Sequence, residues 1–209
     1  MGKTAKYTDE QLADLELRVA QRTAQAIEDA SHETTQAGKG WYYVAREWAK
    51  IVGEAAGYTG TEAVDRGAMA IGVLSPRVRW AQNVNDAIAI ASDNFDWTPS
   101  AFGTNVRKAV VVLAPDVSLE ECEEEIGGKK VTAFVDNIRR PAHSQAVVVD
   151  THMCKLFGIP GRDIELKGVY EAVVRGVQYC ASVYKLRPSQ AQAIAWIETR
   201  GPDKEDIIG

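Results

Sequence analysis

The chain has 209 residues, of which 45% are hydrophobic and 25% are charged, the composition of an ordinary globular protein. Its formal net charge is −5, whereas nucleic-acid-binding surfaces are more often basic because they neutralise phosphates. No apolar run is long enough to span a bilayer, and the N-terminus lacks the apolar region of a secretory signal. Three widely spaced cysteines argue against a disulfide framework. We therefore expect a cytoplasmic protein in a reducing compartment, without a membrane partner.

Apolar residues recur at helical spacing along most of the chain, and no two predicted strands are joined by a hairpin turn. The segment 104–114 is rich in β-branched residues and fits either a helix or a buried strand. The fold class is therefore predicted to be mainly α. The other predicted helices cover residues 8–30, 41–57, 60–74, 80–92, 118–126, 129–138, 150–157, 168–184 and 188–200.

Two helix starts carry capping signals. Thr8 precedes two acidic residues and is a predicted N-cap, and Ser118 with Glu121 three residues later forms a predicted capping box. The helix over 41–57 carries apolar residues at intervals of three and four, which predicts one buried face. That predicted face consists of Trp41, Val44, Ala45, Trp48, Ile51 and Val52.

A glycine pair joins two of the predicted helices with almost no linker. Gly127 and Gly128 are followed by Lys129 and Lys130. Glycine permits a positive φ and the close approach of another backbone, and a helix N-terminus presents free N–H groups that favour a phosphate. The same residues also fit a helix C-cap followed by a solvated basic turn. Both interpretations stay open.

Asp150 directly follows an apolar run at residues 147–149 and precedes Thr151 and His152. A carboxylate in this position is either the N-cap of the next helix or a placed functional acid, and one side chain can serve both purposes. A partly desolvated acid can orient a water molecule or stabilise positive charge on a sugar ring. His152 is a candidate for contact with Asp150 or with a phosphate, or it makes a local hydrogen bond in the first helical turn.

A second group of candidates follows the third predicted helix, which ends at a Ser-Pro pair. Arg77 and Arg79 are candidates for contact with DNA phosphates or a groove. Ser75, Trp80 and Asn83 are candidates for a base pocket or for intercalation. The alternative is a core tryptophan flanked by two surface arginines.

The stretch 118–158 combines the glycine hairpin, a helix, a loop and a Val-Asp-Thr-His segment at residues 149–152, and it resembles the helix-hairpin-helix DNA glycosylases. In that superfamily the hairpin grips DNA phosphates and the Val-Asp-Thr-His segment bears the catalytic aspartate. The resemblance implies one unit over residues 1–209, a two-lobed helical bundle of interlocked lobes with a cleft between them. It implies a catalytic role for Asp150. It implies DNA contacts by Gly127, Gly128, Lys129, Lys130, Thr132 and His152.

Two shorter patterns are similar to small phage-encoded members of the superfamily. Residues 75–83 read Ser-Pro-x-x-x-Trp-x-x-Asn, and residues 128–137 read Gly-x-Lys-Val-x-x-Phe-x-x-Asn. Some of these members are suspected of handling modified bases. The resemblance therefore leaves the target base open.

The hairpin departs from the superfamily at two points. Residues 125–129 read Glu-Ile-Gly-Gly-Lys where Leu-Pro-Gly-x-Gly is usual. Members with lyase activity carry a lysine that corresponds by spacing to Val131 or Thr132, so Lys130 stands one or two residues early as a candidate catalytic nucleophile. We expect a monofunctional enzyme, and lyase activity stays open. Three cysteines are too few for a four-cysteine iron–sulfur cluster, and we expect no cofactor and no metal.

The resemblance implies a monomeric DNA base-excision glycosylase that hydrolyses the N-glycosidic bond of a flipped, damaged or modified base in double-stranded DNA. Two alternatives stay open. One is a non-catalytic DNA-binding protein on the same fold, which the acidic net charge and the irregular hairpin favour. The other is a related enzyme that modifies a thymine-type base and requires a second substrate. The sequence does not distinguish roles in repair, base modification or attack on foreign DNA.

Overall fold

The computed structural model describes residues 7–93 and 97–200, where ten α-helices and one short 3-10 helix are joined without any β-strand. The predicted mainly α fold class is confirmed. None of these described helices is long and apolar enough to cross a membrane. The helices are α1 (Asp9–Asp29), α2 (His32–Ala55), α3 (Gly60–Leu74), α4 (Trp80–Ala91), α5 (Gly103–Leu113), α6 (Leu119–Glu125), α7 (Lys129–Arg139), α8 (Thr151–Phe157), the 3-10 helix (Gly161–Glu165), α9 (Val169–Val183) and α10 (Pro188–Arg200).

The described residues divide into two compact units. Unit one comprises residues 7–41 and 144–200, with α1, α8, α9, α10 and the first part of α2. Unit two comprises residues 42–143 apart from 94–96, with the rest of α2 and α3 to α7. The boundary falls inside α2, between Trp41 and Tyr42.

Both predicted helix caps are confirmed. The Thr8 side chain accepts a hydrogen bond from the Gln11 backbone N–H, and the Gln11 side chain accepts one from the Thr8 N–H. Ser118 and Glu121 make the same reciprocal pair at the start of α6. The ambiguous segment 104–114 is helical, since α5 packs its apolar side against α3 and that burial outweighs the strand preference of its valines.

The prediction for α2 was wrong in two respects. The helix begins at His32, nine residues earlier than expected, and the Ser31 hydroxyl accepts a hydrogen bond from the Thr34 N–H at 3.1 Å. Val44 and Ile51 were predicted to be buried, but their exposed fractions are 53% and 43%. The buried residues of α2 in unit two include Tyr42, Ala45, Ala49 and Val52, so the predicted burial of Ala45 and Val52 is confirmed.

Close contact between α2 and α3 explains this difference. A Cβ atom on Gly53 would lie 1.9 Å from the Ala63 carbonyl oxygen, and one on Gly67 would lie 1.8 Å from the Ala49 carbonyl oxygen. The two backbones therefore touch, and only small residues fit between them. Ala49 and Gly53 therefore lie against α3, and Val44 lies on the exposed side of α2.

The interior of unit two holds a buried guanidinium. Arg66, on α3, has an exposed fraction of 3%, pairs with Glu62 at 2.9 Å and lies 4.3 Å from the centre of the Tyr58 ring. Its remaining N–H groups donate to backbone carbonyls, so the buried charge is hydrogen-bonded on several sides. These bonds fix the segment between α5 and α6, and thereby the start of α6. The carbonyls belong to Val112, Ala114 and Val117.

Unit one is built on α1 and α9, which pack closely enough that a Cβ atom on Gly176 would lie 2.6 Å from the Glu16 carbonyl oxygen. Val147 and Val149 are buried in the same core, so residues 147–149 form an extended apolar segment inside the unit. The Tyr170 hydroxyl donates to the Val147 carbonyl at 3.0 Å, and burial raises the pKa of Tyr170 to about 12. These contacts fix the segment that leads to Asp150.

Candidate functional site

Asp150 is the N-cap of α8 and has extended backbone angles, φ −105° and ψ −176°. Its Oδ1 accepts hydrogen bonds from the backbone N–H groups of His152 and Met153, both at 2.9 Å. The N-cap interpretation of this residue is therefore confirmed. The second interpretation, a functional acid, depends on the other carboxylate oxygen.

That second oxygen is bound by a residue that sequence analysis did not single out. The indole N–H of Trp196, on α10, donates to Asp150 Oδ2 at 2.9 Å. The two residues are 46 positions apart, and no local spacing links them. A tryptophan among the alanines and isoleucines of α10 fits a core position from the sequence alone, and only the tertiary fold reveals the hydrogen bond of its indole N–H.

The Trp196 ring lies among three other side chains of unit one. The edge-on ring of Trp41 has its centre 6.2 Å away, and the ring of His152 lies perpendicular at 6.5 Å. The guanidinium carbon of Arg200 is 4.6 Å from the Trp196 ring centre, within cation–π range. His152 thus meets the aspartate through its backbone N–H, while its ring packs against the indole.

The carboxylate of Asp150 has limited remaining capacity. An ionised carboxylate offers about four lone-pair positions. Three are taken, by two backbone N–H groups and one indole N–H, and the side chain is only partly buried. The position that remains is enough to hold one water molecule or one donor group of a ligand. Nearby Cys154 is no thiolate, because burial and the charge of Asp150 raise the pKa of its thiol.

In unit two, the glycine hairpin is exposed. Gly128 adopts φ 77° and ψ 146°, a backbone conformation that residues with a side chain rarely adopt. A Cβ atom on Gly128 would meet nothing within 4 Å. The backbone angles therefore require a glycine at this position, whereas crowding by neighbouring atoms does not. Lys129 follows as the first residue of α7, whose N-terminal N–H groups open beside the hairpin.

A third lysine, absent from the sequence candidates, supports the hairpin from α5. The Lys108 ammonium donates to the Glu125 carbonyl at 2.5 Å and lies 3.6 Å from the Glu125 carboxylate. It is also 3.8 Å from the point where a Gly127 Cβ would stand. Lys130 is partly buried in the first turn of α7, and the Thr132 hydroxyl donates to the Gly128 carbonyl at 3.2 Å.

Two of the candidates at residues 75–83, Ser75 and Arg77, lie in the turn between α3 and α4. Ser75 ends α3, and its hydroxyl donates to the Gly72 carbonyl at 2.9 Å. Arg77 adopts a positive φ of 64°, and its guanidinium lies 5.9 Å from the ring centre of Phe102. Phe102 is 53% exposed and was not among the sequence candidates. An exposed arginine beside an exposed aromatic ring offers both charge and a stacking surface.

Arg79 and Trp80 start α4, and Asn83 lies in its interior. Arg79 is the N-cap and is exposed, whereas Trp80 is partly buried. The Asn83 side chain is only 2% exposed and donates to the Ile71 carbonyl at 3.0 Å, which ties α4 to the last turn of α3. Its Oδ1 has no partner among the described residues. Asn83 is thus a core residue, and its Oδ1 is buried and not accessible to a base.

A buried carboxylate orders the segment before Phe102. Asp86 has an exposed fraction of 0% and accepts hydrogen bonds from the Trp97 indole N–H and from the Ser100 backbone N–H, both at 2.9 Å. Gln82 donates to the same carboxylate. Sequence analysis missed this role because an aspartate inside a predicted helix carries no local signal for contacts 11 and 14 residues away.

Comparison with known proteins shows the family of the chain. A family model described as "Family of unknown function (DUF7178)" matches residues 6–203, and the chain belongs to this family. No curated protein and no solved structure matches the chain. Over residues 7–93 and 97–200, no group of His, Cys, Asp and Glu is placed to hold a metal ion.

Proposed function

We propose that this protein is a DNA base-excision glycosylase and that Asp150 is its catalytic carboxylate. The observation that carries the proposal is the local geometry of Asp150. Its carboxylate stands at the end of a buried segment, is held through both oxygens by N–H donors, and keeps about one acceptor position for a ligand. A carboxylate held in this way is suited to stabilise positive charge on a sugar.

In the proposed reaction, the bond between the sugar C1′ and the base nitrogen breaks, and the electron pair leaves with the base. The Asp150 carboxylate stabilises the resulting oxocarbenium-like sugar and accepts a hydrogen bond from an attacking water. The water oxygen bonds to C1′, and its proton passes through the carboxylate to the departing base or to solvent. The products are the free base and an abasic site, so no strand break is expected.

Unit two supports a double-stranded DNA partner. The hairpin carries Gly128 and Lys129 and is supported by Lys108 from α5, and the N-terminus of α7 offers N–H groups that favour a phosphate. The turn between α3 and α4 adds Arg77 next to the exposed Phe102 ring. These groups provide positive charge and a stacking surface on a chain whose net charge is negative.

The test is base release from labelled duplexes that carry uracil, mismatched thymine, an oxidised purine or 5-hydroxymethyluracil. Each reaction is split and analysed on a denaturing gel with and without alkali. We expect strand breaks only after alkali, and we expect Asp150→Asn to remove them. Asparagine is also a good N-cap, so this variant keeps α8 capped while it removes the charge.

Ser118→Ala is the matched control, because it removes a helix cap in unit two without touching a predicted catalytic group. It should release base at the wild-type rate. Full activity of Asp150→Asn would end the catalytic assignment of Asp150. Breaks without alkali, lost in Lys130→Met, would instead assign a lyase nucleophile to Lys130.

A second candidate is a DNA-binding protein without chemistry. The observation that favours it is the same set of three hydrogen bonds, since two of them already account for Asp150 as a helix cap. This candidate predicts salt-dependent DNA binding with no base release from any duplex. It also predicts equal DNA affinity for the wild type and for Asp150→Asn.

A further inference from the structure

We infer that Trp196 is the positioning residue for the Asp150 carboxylate and that Arg200 acts on this carboxylate through the Trp196 ring. The kinetic part of this inference rests on the proposed glycosylase function. The structural part does not, because the contacts between these three side chains can be measured without any substrate.

The indole N–H of Trp196 binds the Asp150 carboxylate directly. Trp196 Nε1 donates to Asp150 Oδ2 at 2.9 Å, while the backbone of α8 binds only Oδ1. Two hydrogen bonds to one oxygen leave the carboxyl group free to twist about its Cβ–Cγ bond. The third bond, to the other oxygen, removes that freedom and fixes the direction of the remaining lone pair.

Packing against two other rings holds the Trp196 indole in place. The Trp196 ring meets Trp41 edge-on at 6.2 Å and His152 at 6.5 Å, so its plane is fixed from two directions. Tryptophan has only two side-chain torsions, and these contacts leave little rotational freedom to either. A donor held by packing positions its acceptor better than a mobile one does, because little further ordering is needed when a ligand binds.

The Arg200 guanidinium places a positive charge over the face of the Trp196 ring. The Arg200 guanidinium carbon lies 4.6 Å from the Trp196 ring centre. A cation on the face of an indole draws π-electron density toward itself, which makes the N–H a stronger donor. A carboxylate bound to that N–H returns density to the ring and strengthens the cation–π contact. The negative and positive groups are therefore coupled through a neutral ring.

This coupling has a function in the proposed reaction. As positive charge develops on the sugar, the carboxylate must stay ionised and in one orientation, because electrostatic stabilisation falls when the group has to reorganise. Trp196 supplies the orientation and Arg200 adds distant positive charge that stabilises the carboxylate. Neither residue has to touch the substrate, and Trp196 is accordingly a positioning residue.

The first measurement uses the full chain without DNA. The five tryptophans give five indole N–H signals in a proton–nitrogen correlation spectrum, and Trp196→Phe identifies the signal of Trp196. We expect that signal to move upfield in Asp150→Ala, which removes the acceptor of the indole hydrogen bond. The Trp48 signal should stay unchanged in Asp150→Ala.

The second measurement separates the hydrogen bond from packing. Tryptophan at position 196 is replaced by its benzothienyl analogue, in which sulfur takes the place of the N–H and the ring keeps its size. We expect kcat for base release to fall about tenfold to hundredfold with an unchanged KM. Arg200→Met should lower kcat about two- to fivefold. Trp48→Phe in unit two should leave kcat unchanged.

The outcomes separate the two proposals. A Trp196 signal that ignores Asp150→Ala overturns the inference, whether or not the protein releases a base. Wild-type kcat in the benzothienyl variant overturns it as well. A third outcome is that the Trp196 signal shifts in Asp150→Ala while the protein releases no base from any duplex. That result supports the positioning contact and counts against the proposed glycosylase function.

Discussion

The segment around Asp150 and the glycine hairpin are built on opposite principles. Three N–H donors hold the Asp150 carboxylate, one of them on a helix 46 residues away. The hairpin is exposed, with open space around Gly128, and Lys108 supports it from α5. One region is fixed by hydrogen bonds to its functional group, and the other is fixed by its backbone angles.

This difference indicates how each region responds to change. Where a side chain serves both the fold and the proposed chemistry, its loss should reduce stability and activity together. Where the backbone conformation carries the function, the surrounding side chains should be replaceable, and only the residue with the unusual φ should matter. The following variants examine that contrast, from the largest expected effect to the smallest.

Asp150→Ala should have the largest effect on stability. The substitution removes a helix cap and leaves the Trp196 indole N–H without its acceptor, so the free energy of unfolding should fall by about 2–4 kcal/mol. Urea denaturation followed by circular dichroism measures this fall. Ser118→Ala, which removes only a cap, should cost about 1 kcal/mol. Equal losses in the two variants would mean that the indole contact adds nothing.

Gly128→Ala should have the next largest effect. At φ 77° and ψ 146° an alanine is strained, and the free energy of unfolding should fall by about 1–3 kcal/mol. Gly127→Ala is the matched control, since Gly127 is not among the positive-φ glycines and its Cβ would meet only Lys108, at 3.8 Å. That control should lie within about 0.5 kcal/mol of the wild type. A loss of similar size in both variants would contradict the assignment to backbone angle.

Lys108→Met should have a smaller effect. It removes the ammonium that binds the Glu125 carbonyl, and thermal unfolding should report a loss of about 0.5–1.5 kcal/mol. Lys50→Met, which removes an exposed pair with Glu54 within one helix, should cost about 0.5 kcal/mol or less. If Lys108→Met is no more costly than Lys50→Met, the hairpin does not depend on support from α5.

Tyr170 should give the smallest effect, which appears only in strong alkali. Burial raises its pKa to about 12 in the folded protein, against about 10 in an unfolded chain. A raised pKa stabilises the fold fully below about pH 10, and this stabilisation is lost as the pH rises through about 12. Ultraviolet titration should show a late tyrosinate that Tyr170→Phe removes. If Tyr170→Phe instead removes a tyrosinate that forms near pH 10, the result would contradict the burial of this hydroxyl.

The sequence predicted the local parts of this structure and missed the tertiary ones. The caps at Thr8 and Ser118 and the N-cap role of Asp150 depend on residues within three or four positions, where spacing rules apply. The Trp196 contact joins positions 46 apart, so no window of local pattern contains it.

The error at α2 has a different origin. Helical periodicity marks any apolar residue that recurs at three- or four-residue spacing, and it therefore included Val44 and Ile51. The observed buried face of α2 includes Ala49 and Gly53, where α2 and α3 approach to backbone contact. The spacing of apolar residues carries no information about the distance between two helix axes, so it does not predict a contact between backbones.

That close contact has an evolutionary consequence. A side chain of any size at position 53 or 67 would overlap a backbone oxygen of the neighbouring helix, and backbone cannot be displaced as a flexible side chain can. Members of this family should therefore conserve both glycines even where the residues of the proposed active site and the proposed DNA-binding surface diverge. Distant relatives should be recognisable by this pair of glycines, 14 residues apart, before any similarity at the proposed active site becomes visible.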